Sequence, residues 1–144
     1  MKKNNFNQRV YISGPLTDKE TGKVSEENLA AFREAEKLLR ENDYTNIVNP
    51  TRVWACRFPK MYRLMERLFG NRNAYMLVFI YDLWLMQRCS TIYKIPGWRE
   101  TRGAQVESCF AFNYGLWPLP EYYRHRIDRK LAKAMAKRSK NSKP

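Results

Sequence analysis

Ile92-Tyr93-Lys94-Ile95-Pro96-Gly97-Trp98-Arg99-Glu100-Thr101-Arg102-Gly103-Ala104-Gln105-Val106-Glu107 reads as an apolar strand, a loop of turn residues and the opening of a helix. A corner of this kind is where open α/β sheets bind ligands. One carboxylate, Glu107, falls about one helical turn after Gly103. The loop from Gly97 to Gly103 has the make-up of a phosphate site. Backbone amides at a helix start point outward, Thr101 and Arg102 add donors, and Gly103 lets a ligand approach the backbone. It is neither a Walker loop nor a G-x-G-x-x-G turn, and no cofactor is expected.

Working outward from this corner, Arg9-Val10-Tyr11-Ile12-Ser13 is a β-branched and aromatic run stopped by Gly14-Pro15, as expected of a buried first strand and a tight turn. Residues 16–24 are polar and read as a loop. Ser25 is an N-cap candidate with Glu26 and Glu27 in the first turn; Leu29, Phe32, Ala35, Leu38 and Leu39 then recur at helical spacing up to about Asn42. Ile47-Val48 is a brief second strand closed by Asn49-Pro50. Thr51 to Asn73 mixes Trp54, Phe58 and Pro59 with a basic amphipathic piece, Met61 to Phe69, and reads as a helical insertion or lid. Tyr75 to Cys89 is an apolar helix with one acid, Asp82. Thr91 to Ile95 forms the third strand. Arg102 to Tyr114 is a helix stopped by Gly115, Leu116 to Leu119 an edge strand, and Glu121 to Lys137 a basic helix before a frayed tail from Ser139.

Strands alternating with helices predict an α/β fold, a Rossmann-like or flavodoxin-like parallel sheet of about four to five strands flanked by helices. In a flavodoxin-like order strands 1 and 3 are neighbours, so the Gly14-Pro15 and Gly97-Trp98 loops border one crevice. Residues 1–120 would form this domain, and 121–144 a basic C-terminal helix and tail.

The chain has 144 residues and a formal net charge of +13. One domain able to bury a core is expected, with anionic partners such as nucleotides, nucleic acid or phosphates. Three cysteines, Cys56, Cys89 and Cys109, without CxxC spacing, argue against a disulfide framework or a zinc site and suit a reducing compartment. The opening Met1-Lys2-Lys3 lacks the apolar run of a signal peptide, and Met76 to Met86 is too short to span a bilayer. A soluble, cytoplasmic protein without membrane contact is expected.

Three groups sit near the crevice: Tyr11 on the first strand, Asp82 on an apolar helix, and Glu107 after the third strand. Two carboxyls at one pocket can divide the cleavage of a bond at an anomeric carbon, one as nucleophile or charge stabiliser and the other as proton donor. Plainer roles stand beside this: a cap or an arginine pair for Asp82, a solvated helix face for Glu107, a buried strand aromatic for Tyr11.

These residues resemble the nucleoside 2-deoxyribosyltransferase-like family, in particular its bacterial and phage branch. The resemblance rests on Val10-Tyr11-Ile12-Ser13-Gly14-Pro15-Leu16, on Asn28 to Phe32, on Val48-Asn49-Pro50, on Asp82-Leu83 and Cys89, and above all on Ile95 through Glu107. It covers roughly residues 9–119. Ser90 stands where that family has Asp, Tyr75 where it has Trp, and residues 52–73 have no counterpart. The resemblance implies cleavage of the bond between a base and a (deoxy)ribose in a nucleoside or nucleoside monophosphate. Glu107 would attack C1′, Asp82 would protonate or position the base, and Tyr11 would orient Glu107. Thr101, with Gly103 beside it, would contact a 5′-phosphate. Gly14, Pro15, Gly97, Trp98 and Arg102 complete the expected substrate contacts. Water would give hydrolysis, a second base transfer. The family also implies a homodimer or larger, for which exposed aromatics around Trp54, Phe58 and Trp84 would suit an interface.

Two other functions remain open from the sequence: a nucleotide-binding module without turnover, and a nucleic-acid-binding accessory protein. The second would use Arg124, Arg126, Arg129, Lys130, Lys133, Lys137, Arg138, Lys140 and Lys143, a run that otherwise reads as a solvated tail. His125, the single histidine, is expected at the surface.

Overall fold

The computed structural model describes residues 8–17, 24–52 and 59–142. Strand β1 (Arg9–Ser13) lies at the centre of a parallel sheet ordered β2-β1-β3-β4, with β2 (Asn46–Val48), β3 (Thr91–Lys94) and the short edge strand β4 (Trp117–Pro118). Tyr11 pairs with Val48 on one side and Ile92 on the other, and Ser13 faces Lys94. This is the expected flavodoxin-like order with β1 beside β3. Val10, Tyr11 and Ile12 are all fully buried, as a central parallel strand covered on both faces requires.

Alternation along β1 sends its side chains to two different cores. Val10 and Ile12 point to one face with Tyr93 and Ile95, where they meet Phe32, Leu38 and Leu39 of α1 (Glu26–Glu41) and Ile127 and Leu131 of α5 (Glu121–Asn141). Tyr11 points to the other face with Ile92, against Met86 of α3 (Asn71–Gln87) and Ala111 of α4 (Arg102–Asn113). Helix α2 (Pro59–Phe69) leads through Gly70 into α3 and packs against it. The expected insertion is therefore, over its described part, one helix laid on α3. Trp54, Cys56 and Phe58 lie outside the described residues.

A local signal explains where the first helix begins. Ser25 Oγ accepts from the Asn28 N–H at 3.3 Å, with Glu26 and Glu27 in the first turn, so α1 begins where the cap places it. It ends at Asn42, as expected. Helix α3 starts at Asn71, four residues before the sequence suggested. Helix α5 runs on to Asn141, so Ser139–Asn141 are helical and not frayed. Nor is α5 a solvated appendage: it packs along α1, and Asp128 accepts a hydrogen bond of 2.7 Å from the buried Tyr93 hydroxyl.

Buried Glu36 anchors the end of β2. It accepts from Arg40 Nη2 at 2.9 Å, Asn49 Nδ2 at 2.9 Å and Arg52 Nε at 3.0 Å. Burial alone would raise its pKa, but these donors outweigh burial and hold the carboxyl below its ordinary value. No helix among the described residues is long and apolar enough to cross a membrane.

Candidate active site

The chain leaves β1 at Gly14 and β3 at Ile95, and these two exits touch. A Cβ on Gly14 would lie 2.8 Å from the Ile95 Cβ, so only glycine lets the loops close on each other. Beneath them a pocket of about 100 Å³ opens on the α3–α4 side of the sheet. Its walls include Gly14, Tyr75, Asp82, Thr101, Gly103 and Glu107. The volume is below the roughly 300–1000 Å³ of ligand sites.

Helical spacing aims the α3 residues. Tyr75, Val78, Phe79 and Asp82 form one stripe facing the pocket. Asp82 Oδ1 is sealed from solvent and has no hydrogen-bond partner, and Asp82 makes no ion pair among the described residues. Among the described residues, the cap or arginine pair weighed from the sequence is not formed. Burial pushes its pKa to about 7. Glu107, on the second turn of α4, is 9% exposed, which excludes a solvated helix face. Burial foremost, and then the neighbouring Asp82, push its pKa to about 8, while Ser13 and Tyr11 pull it down. Unlike Glu36, neither acid has an arginine among the described residues.

Tyr11 and Ser13 stand one behind the other on the same face of β1, beneath Glu107. Both are fully buried, and neither hydroxyl has a partner of full hydrogen-bond geometry. Both nevertheless lie close enough to the Glu107 carboxyl to favour its charge. A buried hydroxyl without a partner carries a penalty of about 1–3 kcal/mol, which a small rotation onto a carboxylate would relieve. Burial first, then Glu107 and Asp82, push the Tyr11 phenol well above its ordinary value, so it remains a donor.

Thr101 occupies the N-cap position of α4 without capping it: its side chain makes no cap hydrogen bond, and its Oγ1 is buried and unpartnered. The hydroxyl and the first amides of α4 are thus available at the pocket wall, where the helix dipole favours an anion. Tyr75 closes the opposite side, its hydroxyl 3.3 Å from where a Gly103 Cβ would lie.

The structure thus brings together Tyr11, Gly14, Asp82, Thr101, Gly103 and Glu107. It separates the others. Gly97, at φ +94°, starts a 3-10 turn (Trp98–Glu100) that carries Gly97 and Trp98 into a different groove, beside α5. Pro15 packs toward Gly97 and does not line the pocket, and Arg102 is exposed and lines neither cavity. Sequence reasoning passed over Ser13 and Tyr75 as site residues. The signals were present: Ser13 is two residues from Tyr11 on a strand, and Tyr75 seven from Asp82 on a helix. Among the described residues no group of three or more His, Cys, Asp or Glu side chains is placed to hold a metal ion.

A family model described as a domain of unknown function (DUF4406) matches residues 8–117, and the chain belongs to that family. No curated protein and no solved structure matches it.

Proposed function

We propose that this DUF4406 chain cleaves the N-glycosidic bond of a nucleoside or nucleoside 5′-monophosphate. The observation that carries the reading is two carboxyls at one small pocket, the buried Glu107 and the half-buried Asp82 with its Oδ1 sealed from solvent, neither of them ion-paired among the described residues. A structural acid in this fold looks different: Glu36 is met by two arginines and an asparagine. The motif run from Ile95 to Glu107, similar to that of deoxyribosyltransferase-like proteins, supports the same reading.

In this mechanism a Glu107 oxygen bonds to C1′ as the C1′–N bond breaks. The bonding pair leaves with the base nitrogen, which takes the proton held by Asp82. The oxocarbenium-like transition state is stabilised by the adjacent carboxylate. Water, losing its proton to Asp82, then displaces Glu107 from C1′; a second base in place of water gives transfer. The reaction needs Glu107 charged and Asp82 protonated. As the side chains stand, Glu107 has the higher pKa, about 8 against about 7. Ser13 and Tyr11 already hold the Glu107 carboxyl below where burial alone would put it, and in this mechanism both hydroxyls, which lack a partner of full geometry, turn onto Glu107 when substrate is seated and lower it further. Thr101 Oγ1 and the α4 amides would take the 5′-phosphate.

The test is incubation of the chain with a panel of nucleosides and their monophosphates, assayed for free base with and without an acceptor base. Base release is expected, reduced at least about a thousandfold in Glu107→Ala and about a hundredfold or more in Asp82→Asn. Absence of release across the panel, or release unchanged in Glu107→Ala, overturns the reading.

The same reading includes self-association. Met61, Leu64 and Leu68 of α2 and Met76, Ile80 and Trp84 of α3 are large, apolar and exposed. They recur at three- and four-residue spacing on each helix, and exposed apolar stripes of this kind favour an interaction site. A second copy of the chain is the proposed occupant, and light scattering at micromolar concentration that returns a monomer mass removes it.

A further inference from the structure

We propose that the groove between the β3–α4 loop and α5 is a second site, which binds a phosphate-bearing anion through Lys94, Arg99 and Arg124. The groove has a volume of about 600 Å³, in the range of ligand sites, and is lined by these three cations together with Trp98 and Asp128. One loop separates it from the carboxylate pocket. Gly97 to Glu100 face the groove, whereas Thr101 and Gly103 face the pocket.

Two of the three cations, Lys94 and Arg99, are positioned by Trp98. Lys94, at the end of β3, places its Nζ 4.3 Å from the centre of the Trp98 indole and donates to Ser108 Oγ at 3.2 Å. Arg99 Cζ lies 5.2 Å from the same indole. A tryptophan face fixes the position of a cation and leaves its N–H donors free for an anion. Neither Arg99 nor Arg124 makes an ion pair among the described residues. Two acids share the walls, Asp128, which accepts from the Tyr93 hydroxyl, and Glu100, so the three cations leave a formal excess of one positive charge. Burial and the repulsion of Arg99 and Arg124 all act against the charge on Lys94. Three like charges converging on a concave wall store repulsion that an anion seated among them converts into attraction. Phosphate esters fit best, because two guanidinium forks and an ammonium match the several oxygens of a phosphoryl group.

The test is titration of the full chain with inorganic phosphate, inorganic pyrophosphate and a nucleoside 5′-monophosphate, read by tryptophan fluorescence, with Trp98→Phe identifying the reporter. Saturable binding is expected for at least one phosphate compound. Arg99→Gln and Arg124→Gln should each weaken it about tenfold or more, the share of one charge-assisted hydrogen bond. Equal affinities for inorganic phosphate and the nucleotide would mean that the phosphoryl group alone is read; tighter nucleotide binding would add the nucleoside to the ligand. The proposal is overturned if no probe saturates below roughly 10 mM. It is also overturned if affinity follows Thr101→Val and not Arg124→Gln, which places the phosphate at the α4 N-terminus instead. Binding confined to oligonucleotides, with affinity rising with length and falling steeply with salt, would overturn it in favour of a nucleic-acid track along α5. These outcomes do not depend on whether base release occurs.

Discussion

Replacing Glu107 by Gln should make the protein more stable at alkaline pH and change little in acid. The side chain is 9% exposed, and its pKa stands at about 8 against an ordinary 4.5. Between those two pH values the folded state holds a proton that the unfolded chain has released. Stability therefore falls as the pH rises through that interval, and the penalty is complete above pH 8. At 1.36 kcal/mol per decade the rise corresponds to roughly 5 kcal/mol, an upper bound because a pocket that opens slightly admits water to the carboxylate. Glu107→Gln keeps the shape and removes the titration. For a domain of this size its Tm should exceed that of the native chain by about 10 °C at pH 9 and by under about 2 °C at pH 4. Circular dichroism melts at the two pH values measure this directly. A Tm difference that does not change with pH would mean that folding leaves the Glu107 proton where it was, and the uncompensated buried acid, with the mechanism built on it, would be wrong. Asp82 is raised in the same direction, so the single variant keeps some slope and Asp82→Asn with Glu107→Gln should flatten it further.

Ser13→Ala removes one of the two hydroxyls that favour Glu107 ionised, so the acid limb of the pH–rate profile should move to higher pH by about one unit, with little change in Tm; an unmoved limb removes Ser13 from the mechanism. Thr101→Val should weaken a 5′-phosphorylated substrate by about tenfold and a free nucleoside much less, as KM values would report; equal effects count against a phosphate contact. Gly14→Ala forces a Cβ to within 2.8 Å of the Ile95 Cβ and should destabilise the chain by about 1–3 kcal/mol, seen as a lower urea midpoint; an unchanged midpoint would mean that the two loops are not in contact.

The central sheet was readable because Arg9–Ser13 and Thr91–Ile95 are short runs rich in β-branched and aromatic residues, followed by Gly-Pro and Pro-Gly, as expected of strands that end in tight turns. The three candidate acid and phenol groups could be named because each lies on a legible element, Tyr11 on the first strand, Asp82 on an apolar helix and Glu107 on the helix after the third strand. What misled was adjacency along the chain. Gly97 and Trp98 lie within four residues of Thr101, yet a single 3-10 turn points them to the far side of the loop. Asn71-Arg72-Asn73 carry no apolar signal, and their helix forms because α3 continues from Gly70 with α2 packed on it. The last turn of α5 has no periodic residues either, but Lys and Arg are good helix formers and no proline intervenes before Pro144. Ser13 was overlooked because a small polar residue at a strand end looks like the start of a turn.

The seating of α5 decides how its positive charge can be probed. Ile127 and Leu131 plug the sheet, and Asp128 caps the phenol of Tyr93. Trimming the chain at Glu121 would leave Ile12, Tyr93 and Leu119 bare, so a shortened protein that lost a binding activity would be reporting collapse and nothing about charge. Swapping lysines for glutamates on the water-facing side, at Lys133, Lys137 and Lys140, alters the field while leaving the plug in place. For the same reason an affinity tag belongs beyond Pro144 on a spacer, where it does not pull on the stopper of its own core.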